Sequence, residues 1–179
     1  ARIGERGSEV PAVLDRDGVH RDVSSLVSDF TPEFFAGDGT ERLRSSDLSA
    51  LPAVEGRIGA PIARPSLILC VGLNYVDHAN ESSMKVPEEP ILFTKAPNCL
   101  VGPYDEVLTP RGATTVDYEV ELAVVIGRQC RYLESPEQAM EHLAGFTIAN
   151  DVSERTFQLL RGGGQWIKGK SCETFNPCG

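Results

Sequence analysis

Three carboxylates stand two residues apart in the segment Val116-Asp-Tyr-Glu-Val-Glu-Leu-Ala-Val-Val-Ile-Gly127. In an extended strand, the period of two places Asp117, Glu119 and Glu121 on one face, followed by Ala123 and Val125. Tyr118, Val120, Leu122, Val124 and Ile126 fall on the other. Acids at one end of a strand that turns apolar are half-buried, and unpaired buried carboxylates are costly unless they are protonated or share a cation. Asp151, directly after Phe146-Thr-Ile-Ala-Asn150, is placed to complete such a site from a neighbouring strand. An oxygen-only donor set suits Mg²⁺, then Mn²⁺ or Ca²⁺, better than Zn²⁺. The same spacing also fits an edge strand whose acids face water, and the residues alone leave both readings open. Asp117 is expected to stand back from any ion.

Two further groups bring different chemistry. In Asn74-Tyr-Val-Asp-His-Ala-Asn-Glu81, His78 and Glu81 lie one helical turn apart. A carboxylate beside an imidazole raises its basicity and fixes its tautomer, as a general base for water requires. A surface His–Glu pair can equally be structural. The chain has only four lysines, Lys85, Lys95, Lys168 and Lys170, against thirteen arginines. Where Arg serves for surface charge, a Lys points to a need for a compact ammonium. Lys170, between Gly169 and Ser171, is the candidate for holding an anionic substrate; Lys85 and Lys168 fit a solvated face. Gly164-Gln-Trp-Ile-Lys-Gly-Lys-Ser171 spells a phosphate-loop pattern, but that mechanism needs a strand before the loop and a helix after it. A helix-like run precedes it and Pro177 follows, so no nucleotide is expected there.

The elements that must position these residues are mostly strands. Runs 67–72, 91–95, 118–126 and 146–149 are rich in Val, Ile, Leu and Phe and read as strands. The first is expected to be buried, with Cys70 a packed core thiol, and the apolar face of the third is expected to be core. Helices are expected over 75–83 and over 136–143, the latter with Ser135 as N-cap and Gln138 closing a capping box. Residues 1–63 read as a small α+β domain: a hairpin around Asp15-Arg-Asp-Gly18, a helix start at Thr31-Pro32-Glu33 and a break at Gly37-Asp-Gly39. Residues 56–65 join it to a second domain, 64–179. The end at Asn176-Pro-Cys-Gly179, without a closing helix, suggests that this second domain continues further.

Composition sets the outer limits. The 179 residues are 41% hydrophobic and 24% charged, with a net charge of −9, a globular rather than disordered balance. An acidic surface repels phosphate backbones, so nucleic acid is not an expected partner. No apolar run is long enough to cross a bilayer and no basic stretch followed by an apolar one opens the sequence. Five scattered cysteines without a C-x-x-C pair fit a reducing compartment, so a cytoplasmic location without membrane partners is expected.

Four ordered segments together carry a family likeness: Cys70-Val-Gly-Leu-Asn-Tyr-Val-Asp-His-Ala-Asn-Glu81, Asp117-Tyr-Glu-Val-Glu-Leu-Ala-Val-Val-Ile-Gly127, Asn150-Asp-Val-Ser-Glu-Arg155 and Gln165-Trp-Ile-Lys-Gly-Lys-Ser171. In this order they resemble the fumarylacetoacetate hydrolase family over about residues 60–179. The wording of Arg161-Gly-Gly-Gly-Gln-Trp-Ile-Lys-Gly-Lys-Ser-Cys-Glu-Thr-Phe175 is similar to the branch holding 2,4-diketo-3-deoxy-L-fuconate hydrolases and 2-hydroxyhepta-2,4-diene-1,7-dioate isomerase-like proteins. The resemblance implies a mainly β fold with α+β elements, a rolled β-sandwich incomplete at its C-terminal side, and usually a homodimer. It implies Mg²⁺ or Mn²⁺ held at Glu119, Glu121 and Asp151, water activation by His78 and Glu81, and substrate anchoring by Lys170. Arg155, Gln158 and Lys95 match positions that often face the pocket. The implied reaction is hydrolysis of a C–C bond in a small anionic 2,4-diketo acid. An isomerase or decarboxylase of 2-oxo acids is the alternative in the same site, and a non-catalytic metal-binding module is the alternative of another class.

Overall fold

The computed structural model describes residues 1–77 and 87–179. The chain is mostly strand with a few short helices. Its first sheet combines β1 (Arg2–Ile3), β2 (Val10–Leu14), β3 (His20–Asp22) and β4 (Ile58–Gly59) in the order β3-β2-β1-β4, all antiparallel. The β2–β3 hairpin closes as its sequence requires: Gly18 takes φ +78, and Asp15 Oδ1 accepts from the backbone N–H groups of Asp17 and Val19. Thr31 caps the helix Pro32–Ala36 by accepting from Phe34 N, Gly37 ends it, and a second helix runs Gly39–Ser45. Val23, Val27, Phe30 and Leu43 form the core beneath these elements, with Phe34 and Phe35 packed against it.

The remaining strands pair two by two. β5 (Ile68–Gly72) pairs with β6 (Ile91–Lys95). β7 (Leu100–Val101) runs parallel to β12 (Asn176–Pro177). β8 (Val116–Asp117) pairs with β11 (Ser153–Glu154), and β9 (Val120–Ile126) with β10 (Leu143–Asn150). Cys99, Val152 and Phe175 make a small second core. Arg57 ties the two parts of the chain together by pairing with both Glu9 and Asp105.

Several expectations change. The run 118–126 is not one strand but two, because the chain changes partner at Tyr118-Glu119. Before that point β8 lies on β11; after it Glu119 O accepts from Asp151 N at 2.8 Å and β9 follows β10. The apolar face of β9 is not core: Val120, Leu122, Val124 and Ile126 are exposed, as are Phe146 and Ile148 across from them on β10. The face carrying Glu119, Glu121, Ala123 and Val125 points inward instead. At the head of that face, Glu119 is paired by Lys170 and Arg155. Run 67–72 corrects the same way: Leu69 and Val71 face out, while Cys70 is only half-buried. Burial, with the nearby Asp151 charge, pushes the Cys70 thiol up to about 12, so it is an inert thiol.

The helix expected over 136–143 stops at Met140, and β10 begins at Leu143. Ser135 makes no side-chain cap, and Gln138 reaches back to Glu134 N at 2.9 Å, so no capping box forms. Most of the helix expected over 75–83 lies outside the described residues, as do His78, Glu81 and Lys85.

Candidate active site

The inward face of β5 and β6 carries Ile68, Cys70 and Gly72 opposite Lys95, Phe93 and Ile91. Lys95 closes β6 and is only 1% exposed. Its ammonium donates to Asp151 Oδ1 at 2.6 Å and to Val152 O at 3.1 Å. Asp151 sits at the exit of β10, where the chain crosses to β11. Its second oxygen accepts from Lys170 Nζ at 2.8 Å, and Lys170 also donates to Glu119 Oε2 at 2.8 Å. Two buried lysines therefore grip one aspartate from opposite sides. Such ions are retained in a protein interior only when paired and hydrogen-bonded.

Local structure explains how Lys170 arrives there. Arg155 leads into a π-helical turn, Thr156–Leu160, and the four-residue helix Ile167–Lys170 packs back on it. Gly169 permits that contact, because a Cβ would collide with Gln158 N and Glu154 O. The same turn presents Arg155, whose guanidinium holds Glu119 Oε1 at 2.6 Å and Asp117 Oδ2 at 2.8 Å. Gln158 is buried and accepts from Arg155 Nη1 at 3.2 Å. The Arg155 pair holds Asp117 below the usual carboxylate range, and Asp117 stands half-exposed at the rim.

Glu119, Glu121, Asp151, Lys95, Lys170, Arg155 and Gln158 thus gather in one region. All except Lys95 line a cleft of about 280 Å³ that also touches Asn74, Phe93 and Trp166. Glu121 is the least satisfied of the cleft's acids: among the described residues it has one long contact, 3.4 Å from Asn74. Burial, reinforced by the charges of Glu119 and Asp151, raises its pKa. Among the described residues, no three His, Cys, Asp or Glu side chains already form a metal cage; Glu119 and Asp151 each give one oxygen to Lys170. The donor chemistry still fits a hard divalent cation: three carboxylates face one cleft, and Glu121 pairs with no cation among the described residues. The P-loop spelling serves another end here, since its strand is absent and Lys168 donates to Arg161 O at 3.0 Å.

Sequence reasoning missed the wall of the cleft. Trp166 stacks edge-on against Phe93 at 5.3 Å, and Lys170 Nζ lies 5.0 Å over the Phe93 ring. A Cβ on Gly72 would meet Trp166 at 2.7 Å, so the turn glycine makes room for the indole. The signal was available, for Trp166 is the chain's single tryptophan and lies four residues before Lys170. Glu154 was also passed over. It is fully buried and accepts from Thr114 N, Thr115 N, Thr115 Oγ1 and Phe157 N. Burial alone would raise its pKa, but these donors outweigh it and hold the carboxyl at about 2. Glu154 thereby clamps the start of the turn that carries Arg155.

Comparison with known proteins adds the relatives. The family model described as fumarylacetoacetate (FAA) hydrolase C-terminal matches residues 67–179. A protein of Sphingomonas sp. strain SKA58 named 2,4-didehydro-3-deoxy-L-rhamnonate hydrolase is 46% identical over 180 residues, covering 99% of this chain and 61% of that protein. The solved fumarylacetoacetate hydrolase of Exiguobacterium antarcticum superposes with a TM-score of 0.75 at 32% identity, over 98% of this chain and 62% of that one. The 5-carboxymethyl-2-hydroxymuconate delta-isomerase of Mycobacterium smegmatis gives 0.68 at 33% identity, over 99% and 62%. The chain therefore spans somewhat under two thirds of the length of these relatives.

Proposed function

We propose, from the premise that this chain belongs to the fumarylacetoacetate hydrolase family, that the protein hydrolyses a C–C bond in a small 2,4-diketo acid, of the acylpyruvate or deoxy-diketo sugar acid class. The observation that carries this reading is the pairing of Lys170 with Glu119 and Asp151 at 2.8 Å, beside the underpaired Glu121. An ammonium and a carboxylate cluster in one cleft suit an anionic substrate bound next to a hard cation. Glu119, Glu121 and Asp151 would hold Mg²⁺ or Mn²⁺, which when bound supplies Lewis-acid polarisation of a keto oxygen and neutralises charge developing there. The remaining work belongs to the chain. Lys170, with Arg155 and Gln158 beside it, pairs with the substrate carboxylate. Lys95 keeps Asp151 oriented from behind. Phe93 and Trp166 exclude water from one side of the cleft, which strengthens each of these charge contacts. His78, oriented by Glu81, takes a proton from the water that attacks the second carbonyl and returns it to the departing carbon.

The sheets are read as parts of a rolled β-sandwich, with residues 1–63 as a small N-terminal domain and a homodimer as the assembled form. A second reading, an isomerase working in the same site without attack by water, draws on the isomerase among the similar structures. Two variants test these readings together. Glu119→Ala should weaken Mg²⁺ binding measured by calorimetry and abolish Mg²⁺-dependent cleavage of acylpyruvates; undiminished affinity and turnover would remove the metal from the account. His78→Ala should lower turnover by about 10² or more if His78 is the general base for water; isomerising turnover that persists unchanged, without hydrolysis products, would favour the isomerase reading.

A further inference from the structure

Away from the cleft, a second cavity of about 160 Å³ opens between the N-terminal sheet and the segment that follows Lys95. Four of the chain's thirteen arginines line it, Arg2, Arg6, Arg57 and Arg64, with Glu9 as the only acid in the lining. Such a concentration of guanidinium groups is unexpected in a chain of net charge −9.

Two of the four are held in place from behind. Arg2 donates to both oxygens of Asp29 at 2.8 and 3.0 Å, and Arg57 pairs with Asp105 through two nitrogens. Glu9 is fully engaged: Oε1 accepts from Arg57 at 2.9 Å, and Oε2 accepts from Gly7 N at 2.9 Å and lies 3.4 Å from Arg2. Arg6 and Arg64 differ: neither donates a side-chain hydrogen bond to another described residue, and each feels an acid only at longer range, Asp105 for Arg6 and Glu33 for Arg64. Arg64 is held at φ +49, a backbone position that side chains rarely adopt, immediately before Pro65. The rest of the lining is apolar, including Ile62, Pro97 and Val101.

We propose that this cavity is a second ligand site, one that takes a small oxyanion of the size of a 2-oxo acid or phosphate. Arg2 and Arg57 are the fixed part of the site. Arg6 and Arg64 are the forks not tied by hydrogen bonds among the described residues, suited to bidentate contact with a carboxylate or phosphate, and the apolar wall accommodates a short carbon tail. Because Pro97 lies two residues after Lys95, an occupant would touch the segment that leads out of the active cleft.

The test is calorimetry and thermal denaturation of the protein without divalent metal, using sodium pyruvate and sodium phosphate as probes and sodium chloride at matched ionic strength. One or both oxyanions should raise the melting temperature in a saturable way that chloride does not. Response to pyruvate alone identifies a carboxylate site, and response to phosphate alone a phosphate site. Affinity should fall about tenfold in Arg6→Ser and in Arg64→Gly, the loss expected for one charged hydrogen-bonding group. The glycine suits the positive φ, so the second variant retains the fold. No saturable rise with either oxyanion, an equal rise with chloride, or unaltered affinity in both variants would overturn the site. Pyruvate bound in the Lys170 cleft would give the last of these results and is thereby told apart.

Discussion

Lys170 is where one side chain decides most. Its ammonium, 2% exposed, neutralises two of the three carboxylates proposed to hold a metal. Removing one partner of a buried ion pair strands the other and typically costs about 3–5 kcal/mol. By contrast the Arg42–Asp38 pair is largely in water and its loss should cost well under about 1 kcal/mol. In Lys170→Met, Glu119 keeps Arg155 and Asp151 keeps Lys95, so the loss should sit near the lower end, about 3 kcal/mol. A chain of this length should then melt roughly 6–12 °C lower, at about 2–4 °C per kcal/mol. With the ammonium gone the acids need another cation. Millimolar Mg²⁺ should therefore raise the melting temperature of Lys170→Met more than that of the parent. Equal responses would mean that Lys170 and the metal do not share these oxygens.

At the scale of elements, the contact between the helix Ile167–Lys170 and the π-helical turn delivers Lys170, and Gly169 is the hinge of that contact. The atoms that a Cβ would strike are mainly backbone, Gln158 N and Glu154 O, and backbone cannot swing aside. Gly169→Ala should therefore force the two elements apart, costing about 1–3 kcal/mol as overpacking does. It should also lower affinity for an anionic substrate, because Lys170 and Gln158 both move. Gly163→Ala is the control: nothing lies within 4 Å, and only its φ of +59 resists substitution. That change should cost about 1 kcal/mol and leave substrate affinity alone. Comparable affinity losses in the two variants would remove Gly169 from its positioning role. Elements of this kind were only partly legible in the sequence. β6, the β2–β3 hairpin and the Thr31 cap follow from local chemistry, and the structure has them where that chemistry puts them. The exposure of the apolar face of β9 was not legible, nor was the break at Tyr118-Glu119. Alternation tells that a strand has two different faces, but which of them is covered depends on partners distant in sequence: Lys170 lies 51 residues from Glu119. The acids and Lys170 were readable as chemistry, and Lys95, Arg155 and Gln158 only through the family likeness; the Glu154 clamp depended on packing that no short motif encodes.

Across the whole molecule, acid should be the condition that unfolds the protein. Carboxylates with lowered pKa values occur in both parts of the chain. Among them are Glu9 and Asp105, joined through Arg57, then Asp117 on Arg155, and Glu154 at about 2. The sign follows from proton binding. A carboxyl whose pKa is lower in the folded state than in the unfolded chain favours folding above the unfolded value, and that contribution is lost as pH falls through the folded one. For Glu154 the window runs from 4.5 down to about 2. Glu121 acts in the opposite direction: its raised pKa means that the folded state holds the proton more tightly, so its contribution diminishes as pH rises above the ordinary carboxylate range. The lowered groups outnumber it, so the melting temperature followed by circular dichroism should hold near neutrality and fall steadily below pH 4.5. Glu154→Gln separates this strongly lowered carboxylate from the rest. An amide keeps the shape but cannot accept four donors as a carboxylate does, so the variant should be less stable at pH 7 and its melting temperature should fall less steeply between pH 4.5 and 2. If parent and variant lose stability in parallel over that interval, the buried Glu154 carboxylate is not what acid attacks, and the ion pairs around Arg57 and Arg155 carry the effect instead.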